Sequence, residues 1–154
     1  MYKRMLVPVD GSACSKAALR EAQKLVTVGP REIGLLHVVE MLHWHDSFQP
    51  DEVGALILES TRKSGMTILE EALAFLASYG VPAESSLLEA ANKRASEVIV
   101  QYALEWRAEL IVMGTHGRRG LLRLVLGSDA AEVVRSSPVP VLLVRDYSIP
   151  SSPV

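Results

Sequence analysis

Gly114-Thr115-His116-Gly117-Arg118-Arg119-Gly120-Leu121-Leu122-Arg123-Leu124-Val125-Leu126-Gly127-Ser128 follows directly on the apolar run Leu110-Ile111-Val112-Met113. An apolar run without polar alternation reads as a buried strand covered on both faces, so the glycine-rich stretch begins where that strand would end. In an open parallel α/β sheet, ligands sit beyond the carboxyl ends of the strands. The glycines at 114, 117 and 120 let the backbone turn tightly and approach a ligand without a Cβ in the way, and a phosphate is one ligand that needs such an approach. Gly127-Ser128 then opens a second apolar-periodic segment, with Ser128 expected at the helix N-cap. Exposed N–H groups and the positive end of the helix dipole make such a terminus attractive to an anion. Arg118, Arg119 and Arg123 place cationic side chains nearby. The plainer alternative is a loop that glycines merely shape. Two other phosphate motifs fail on spacing: a P-loop needs a lysine before its Ser/Thr, and none precedes Ser128, while the dinucleotide fingerprint needs Gly-x-Gly-x2-Gly after the first strand.

With 154 residues the chain fits one domain, which at this size buries about two thirds of its unfolded surface. The 49% hydrophobic and 22% charged content is that of a globular protein, and the 5% aromatic content points to an aliphatic core. The formal charge of −2 gives no support for a nucleic-acid partner. The apolar run after Met1-Tyr2-Lys3-Arg4 is too short for a signal peptide core or a membrane span. No membrane association is therefore expected, and the cytoplasm is the expected compartment. The single cysteine, Cys14, agrees with a reducing environment. It lies near the start of the first expected helix, where a thiolate is favoured, yet packing is its expected role because no second cysteine could resolve an oxidised form.

Taken in order, residues 5–9 (Met-Leu-Val-Pro-Val) form a first strand that ends in the turn cluster Asp10-Gly11-Ser12. Residues 15–26 carry Ala18, Leu19, Ala22, Leu25 and Val26 at helical spacing. Residues 33–39 read as a central parallel strand. Residues 40–50 have no period; His43 and His45 lack a third ligand at a recognised spacing, so no metal site is assigned. A helix is expected over 51–79, with Val53, Leu56, Ile57, Met66, Leu69, Leu73 and Leu76 on one stripe against the sheet and Gly65 as a possible bend. Residues 83–88 form a third strand, weaker in apolar character and so placed at an edge. A helix over 94–106 (Val98, Ile99, Tyr102, Ala103, Trp106), the strand 110–113, a helix over 128–136 using Ala131, Val133 and Val134, and a fifth strand at 140–144 complete the pattern. Residues 146–154, rich in Ser and Pro, are expected to be a disordered tail.

Strands alternating with helices call for an open parallel sheet, helices on both faces, with right-handed crossovers. The first and fourth strands end in the turn-rich sequences. If they are neighbours, the order of this five-stranded sheet is 3-2-1-4-5, and Asp10 faces the glycine loop across a crevice. Residues 10 and 117 are then expected a nucleotide's width apart, with a carboxylate acceptor for ribose or amine groups beside donors for phosphates.

The spacing Gly114-x2-Gly117-x9-Gly127-Ser128, together with Val-Pro-Val-Asp-Gly-Ser at the first strand and Pro-Val-Pro-Val-Leu-Leu-Val at the last, resembles the universal stress protein family. The resemblance runs from about residue 3 to 145, and the family domain is assigned to 1–145. It implies a Rossmann-like fold of the adenine nucleotide alpha hydrolase type and, for members with this glycine motif, binding of ATP, with or without Mg2+. Carried onto this chain, it implies adenine and ribose contacts at Pro8, Val9, Asp10 and Val38, or Val39 if the register is one residue off. Met113 and Gly114 would lie beside the base or ribose, and His116, Gly117 and the neighbouring Arg118 would follow the phosphates. Gly127, Ser128, Asp129 and Ala130 would line the phosphate end. Asp129 departs from the family pattern, which favours an uncharged residue there, and a carboxylate close to polyphosphate repels it unless the arginines offset it. The family's usual dimer implies self-association along Val141, Leu142, Leu143 and Val144.

These readings lead to a nucleotide-binding regulatory protein of the stress response, acting through occupancy and dimerisation. Nothing in the sequence supplies a clear catalytic base; His116 is the one candidate, and hydrogen-bond donation is its expected role. No catalytic residue is assigned, and slow ATPase or self-phosphorylation is the most that is expected. The alternatives are a nucleotidyl- or phosphoryl-transfer enzyme, and a protein–protein module of the same fold that binds no nucleotide.

Overall fold

The computed structural model describes residues 2–26, 32–40, 52–117 and 126–146. The elements run β1 (Arg4–Pro8), α1 (Ala13–Val26), β2 (Glu32–Val39), α2 (Glu52–Ser78), β3 (Ala83–Glu89), α3 (Ala95–Glu105), β4 (Leu110–Gly114), α4 (Ser128–Ser136) and β5 (Val141–Val144). The five strands form a single sheet of order β3-β2-β1-β4-β5, and each pairing is parallel. This is the expected α/β order. Tyr147, His43, His45 and residues 148–154 lie outside the described residues, so the tail and the two histidines receive no structural account.

Alternation along the strands divides the core into two layers. Met5, Val7, Ile33, Leu35, Leu110 and Val112 face α1 and α2, meeting Ala18, Leu19, Ala22, Leu69, Ala72 and Leu76. Leu6, Leu36, Ile111 and Met113 face the other way, against Ile99, Ala103 and Trp106 of the α3 region and Ala130 and Val133 of α4. Because β1, β2 and β4 are covered on both sides, their residues are apolar without alternation. β3 has no buried residue and lies at the sheet edge, as expected for it. Pro8, which cannot donate to a ladder, is the last residue of β1.

Two helix faces differ from the sequence reading. In α2 the stripe was expected to pack from Val53 onward, yet Val53 and Leu56 are 57% and 70% exposed and Ile57 and Met66 are also exposed. Burial in α2 begins at Gly65. A 27-residue helix rises about 40 Å, while strands of seven or eight residues span about 25 Å. Arg62 pairs with Glu89 at the end of β3, so the turns before it run beyond the strand tips. In α4 the buried pair is Ala130 and Val133, while Ala131 and Val134 point to solvent.

Gly65 serves a close approach. A Cβ there would lie 2.5 Å from His37 Cδ2 and 2.9 Å from its Nε2. An alanine inside a helix ordinarily gains about 1 kcal/mol over glycine, but overpacking a buried contact costs about 1–3 kcal/mol. Gly65→Ala is therefore expected to destabilise the protein by up to about 2 kcal/mol in a denaturant titration; a gain in stability would show that α2 does not need this clearance.

Candidate nucleotide crevice at the split between β1 and β4

The two central strands part company. β1 and β4 pair at Met5↔Leu110 and Leu6↔Ile111. Beyond that point β1 continues to pair with β2 as far as Pro8↔Leu36, and β4 with β5 as far as Gly114↔Val144. β1 sends its chain to α1 on one face and β4 sends its chain toward α4 on the other. This is a topological switch point, and a crevice opens above it.

One wall is the β1–α1 turn. Gly11 adopts a φ of 81°, which turns the chain away from the sheet. Asp10 Oδ1 accepts a hydrogen bond from the Ser12 N–H at 2.9 Å, and Ser12 Oγ accepts one from the Ser15 N–H at 3.1 Å. Ser15 Oγ donates to the Ser12 carbonyl at 3.2 Å. The first turn of α1 is thus capped by its own serines, a role the sequence reading did not assign although the Ser-x-x-Ser spacing carries it.

The other wall is Met113 to Gly117. Met113 and Gly114 are buried, and Gly114 is closed over by α1: a Cβ on it would come within 2.7–2.9 Å of the carbonyl carbon, Cβ and oxygen of Cys14. Thr115 is buried, its Oγ1 3.0 Å from His116 Nδ1 and 4.0 Å from Cys14 Sγ. The Thr115 N–H donates to the Val144 carbonyl at 3.0 Å, and its own carbonyl accepts from the Gly127 N–H at 2.9 Å. That second bond brings the start of α4 to the tip of β4. Gly127, not Ser128, occupies the N-cap, and Ser128 is the first helical residue with no side-chain cap bond. Either residue type caps a helix well, so the sequence did not separate them. The first intrahelical bond runs from the Ala131 N–H to the Gly127 carbonyl at 2.9 Å. Among the described residues, the N–H groups of Ser128, Asp129 and Ala130 have no acceptor. Asp129 sits in this first turn, where a carboxylate complements the helix dipole.

Asp10 and Gly117 are closer than expected. A Cβ on Gly117 would lie 2.8 Å from Asp10 Oδ2, so the two residues nearly touch instead of standing a nucleotide's width apart.

The ladder also gives Val38 and Val39 different backbone directions. Leu36 accepts from the Val9 N–H at 2.8 Å, so even-numbered residues of β2 turn their backbone groups toward β1. Val39 accepts from the Ala90 N–H on the β3 side. Val38 therefore directs its N–H and C=O toward β1, just past its end. Of the remaining sequence-assigned residues, Pro8, Val9 and Asp10 lie at the carboxyl end of β1, His116 and Gly117 follow the end of β4, residues 127–130 form the N-cap and first turn of α4, and Arg118 lies outside the described residues.

A cavity of about 220 Å3 lies elsewhere, between α1 and α2, lined by Val9, Gly11, Ser15, Lys16, Leu19, Arg20, Ile68, Glu71, Ala72 and Phe75. It touches the crevice only through the β1–α1 turn and includes none of the residues after β4. Among the described residues no cluster of three His, Cys, Asp or Glu could hold a metal, and no helix is long and apolar enough to cross a membrane.

The chain matches the universal stress protein family over residues 1–145. It belongs to that family. A universal stress protein of Thermus aquaticus, from the 3' region of a QAH/OAS sulfhydrylase, is 35% identical over 146 residues, covering 94% of this chain and 100% of its own. The Bacillus subtilis universal stress protein YxiE is 34% identical over 151 residues, covering 94% and 100%. Among solved structures, the universal stress protein UspA of Lactobacillus plantarum superposes with a TM-score of 0.83 at 25% identity, covering 94% of this chain and 98% of its own. Three more distant members share the fold and were solved with nucleotides. One complex holds cAMP (TM-score 0.69, 23% identity, 93% and 97% covered). An Arabidopsis thaliana protein holds AMP (0.69, 21%, 95% and 93%). An Archaeoglobus fulgidus protein holds dAMP (0.66, 22%, 93% and 98%).

Proposed function

We propose that this universal stress protein binds an adenine nucleotide, ATP in the first instance, in the crevice between β1 and β4, and that it acts as a regulatory protein through occupancy and self-association. The observation that carries the reading is the early parting of β1 from β4 with the uncapped first turn of α4 across the gap. The adenine nucleotides held by fold neighbours support it. Adenine offers an acceptor at N1 beside a donor at N6, which matches an adjacent N–H and C=O such as those of Val38. Guanine offers the reverse and would meet a donor with a donor. Asp10 would accept from the ribose, and the amides of residues 128–130 would meet the phosphates, with or without Mg2+ between them. Self-association would use β5, whose four residues are all half-buried at the sheet edge.

Calorimetric titration with ATP, AMP and cAMP tests this. Saturable binding at one nucleotide per chain is the expected result, and no saturable binding at millimolar nucleotide would refute it. A multiple-turnover assay separates the regulatory reading from a phosphoryl- or nucleotidyl-transferring enzyme: ATP turnover near the uncatalysed rate is expected. A monomer in sedimentation at micromolar protein, with and without nucleotide, would remove the self-association.

A further inference from the structure

His37 lies in the middle of β2, 4% exposed, on the face covered by α2. Its Nδ1 is 2.7 Å from the Val9 carbonyl oxygen. A carbonyl only accepts, so Nδ1 carries the proton and donates. The ring is held in that direction by α2, which crosses it at Gly65 with no room for a Cβ. Val9 is the residue at which β1 leaves the sheet. Continued in register from Pro8↔Leu36, the ladder would next place a bond from the Val38 N–H to the Val9 carbonyl and one from the Gly11 N–H to the Val38 carbonyl. Neither forms among the backbone bonds of the described residues. The Val9 carbonyl is turned onto the imidazole instead, and Gly11, at a φ of 81°, carries its N–H away.

We infer that His37 is a positioning residue for base recognition: by holding the Val9 carbonyl, it keeps that group from the Val38 N–H and so leaves the Val38 N–H and C=O for the Watson–Crick edge of adenine. The inference rests on the adenine-nucleotide reading above and deepens it. His37 touches no ligand; it acts through Val9 and Val38. Without its donor, the Val9 carbonyl swings back to the nearest N–H, which the ladder places at Val38. The base then loses the donor that distinguishes adenine from guanine, while the ribose and phosphate contacts stay.

The test compares ATP and GTP affinities of wild type, His37→Leu and His37→Asn, each checked for folding by circular dichroism and thermal melting. Leucine keeps the bulk and removes the donor; asparagine places an N–H close to where Nδ1 stood. His37→Leu is expected to weaken ATP about tenfold, the worth of one buried hydrogen bond, and to leave GTP unchanged, so that the ATP/GTP ratio falls by the same factor. His37→Asn is expected to keep the ratio within about threefold of wild type. A folded His37→Leu with the wild-type ratio, or with equal losses for both nucleotides, would overturn the inference. Should His37→Leu fail to fold, His37→Asn decides: native selectivity upholds the role, and a folded asparagine variant without selectivity refutes it. Wild type that binds no adenine nucleotide would be seen in the first titration and would overturn the parent reading and this inference together, whereas wild-type binding with an indifferent His37→Leu overturns this inference alone.

Discussion

Gly114→Val is expected to lower the midpoint of thermal unfolding by about 10 °C, corresponding to about 3 kcal/mol or more for a chain of this size. The cause is the seat of α1 on the tip of β4. The atoms that the new Cβ would strike, at 2.7–2.9 Å, include the carbonyl carbon and oxygen of Cys14, which no rotamer change can move. Relief requires α1 to lift from β4, and with it Ala18, Leu19 and Ala22 from the core they fill. Differential scanning calorimetry of the purified variant checks this, and a midpoint within 2 °C of wild type would mean that the helix can step aside at little cost. The smaller Gly114→Ala meets the same atoms and is expected to fall on the same side.

Gly117→Val is expected to abolish nucleotide binding, a loss of at least about a hundredfold or 2.7 kcal/mol, with little change in stability. Gly117 is exposed, so its side chain burdens no core. Its Cβ, however, would sit 2.8 Å from Asp10 Oδ2, and the valine methyls would push the carboxylate from its bond with the Ser12 N–H or project into the crevice. Either outcome removes the acceptor proposed for the ribose or the space proposed for the ligand. Titration of the variant with ATP beside a melting curve separates the effects: native affinity in a folded variant would place the site elsewhere, and the cavity between α1 and α2 would then be the next location to probe. Gly127→Val, which meets the Thr115 carbonyl oxygen at 3.1 Å, is expected to act in the same direction from the phosphate end.

The parts of the fold that rest on local chemistry were legible in the chain. Leu110-Ile111-Val112-Met113 reads as a doubly covered strand and Asp10-Gly11-Ser12 as a turn, and the sheet order followed on the condition that the first and fourth strands are neighbours, which they are. The parts that depend on what lies opposite were not. Val53, Leu56 and Ile57 make the same helical stripe whether or not a sheet lies beneath them, and the length of α2 relative to the strands decides that it does not. Val134 was assigned to the core and Ala130 was not, because a helix of nine residues offers too few turns to fix its phase. The choice of Val38 over Val39 depends on ladder parity with β1, a property of two strands and not of one. His37 was hidden for the same reason: inside an apolar strand it reads as one more buried residue until its ring is seen reaching the carbonyl of a neighbour.

Thr115 has one backbone bond in each direction, accepting from Gly127 at the head of α4 and donating to Val144 at the end of β5. A ligand pressing on that helix and a second copy lying along that strand would therefore act on the same peptide from opposite sides. If each favours the same setting of it, thermodynamic reciprocity makes assembly sharpen ligand affinity by the factor with which ligand sharpens assembly. The concentration of the protein itself would then become one of the signals it reports.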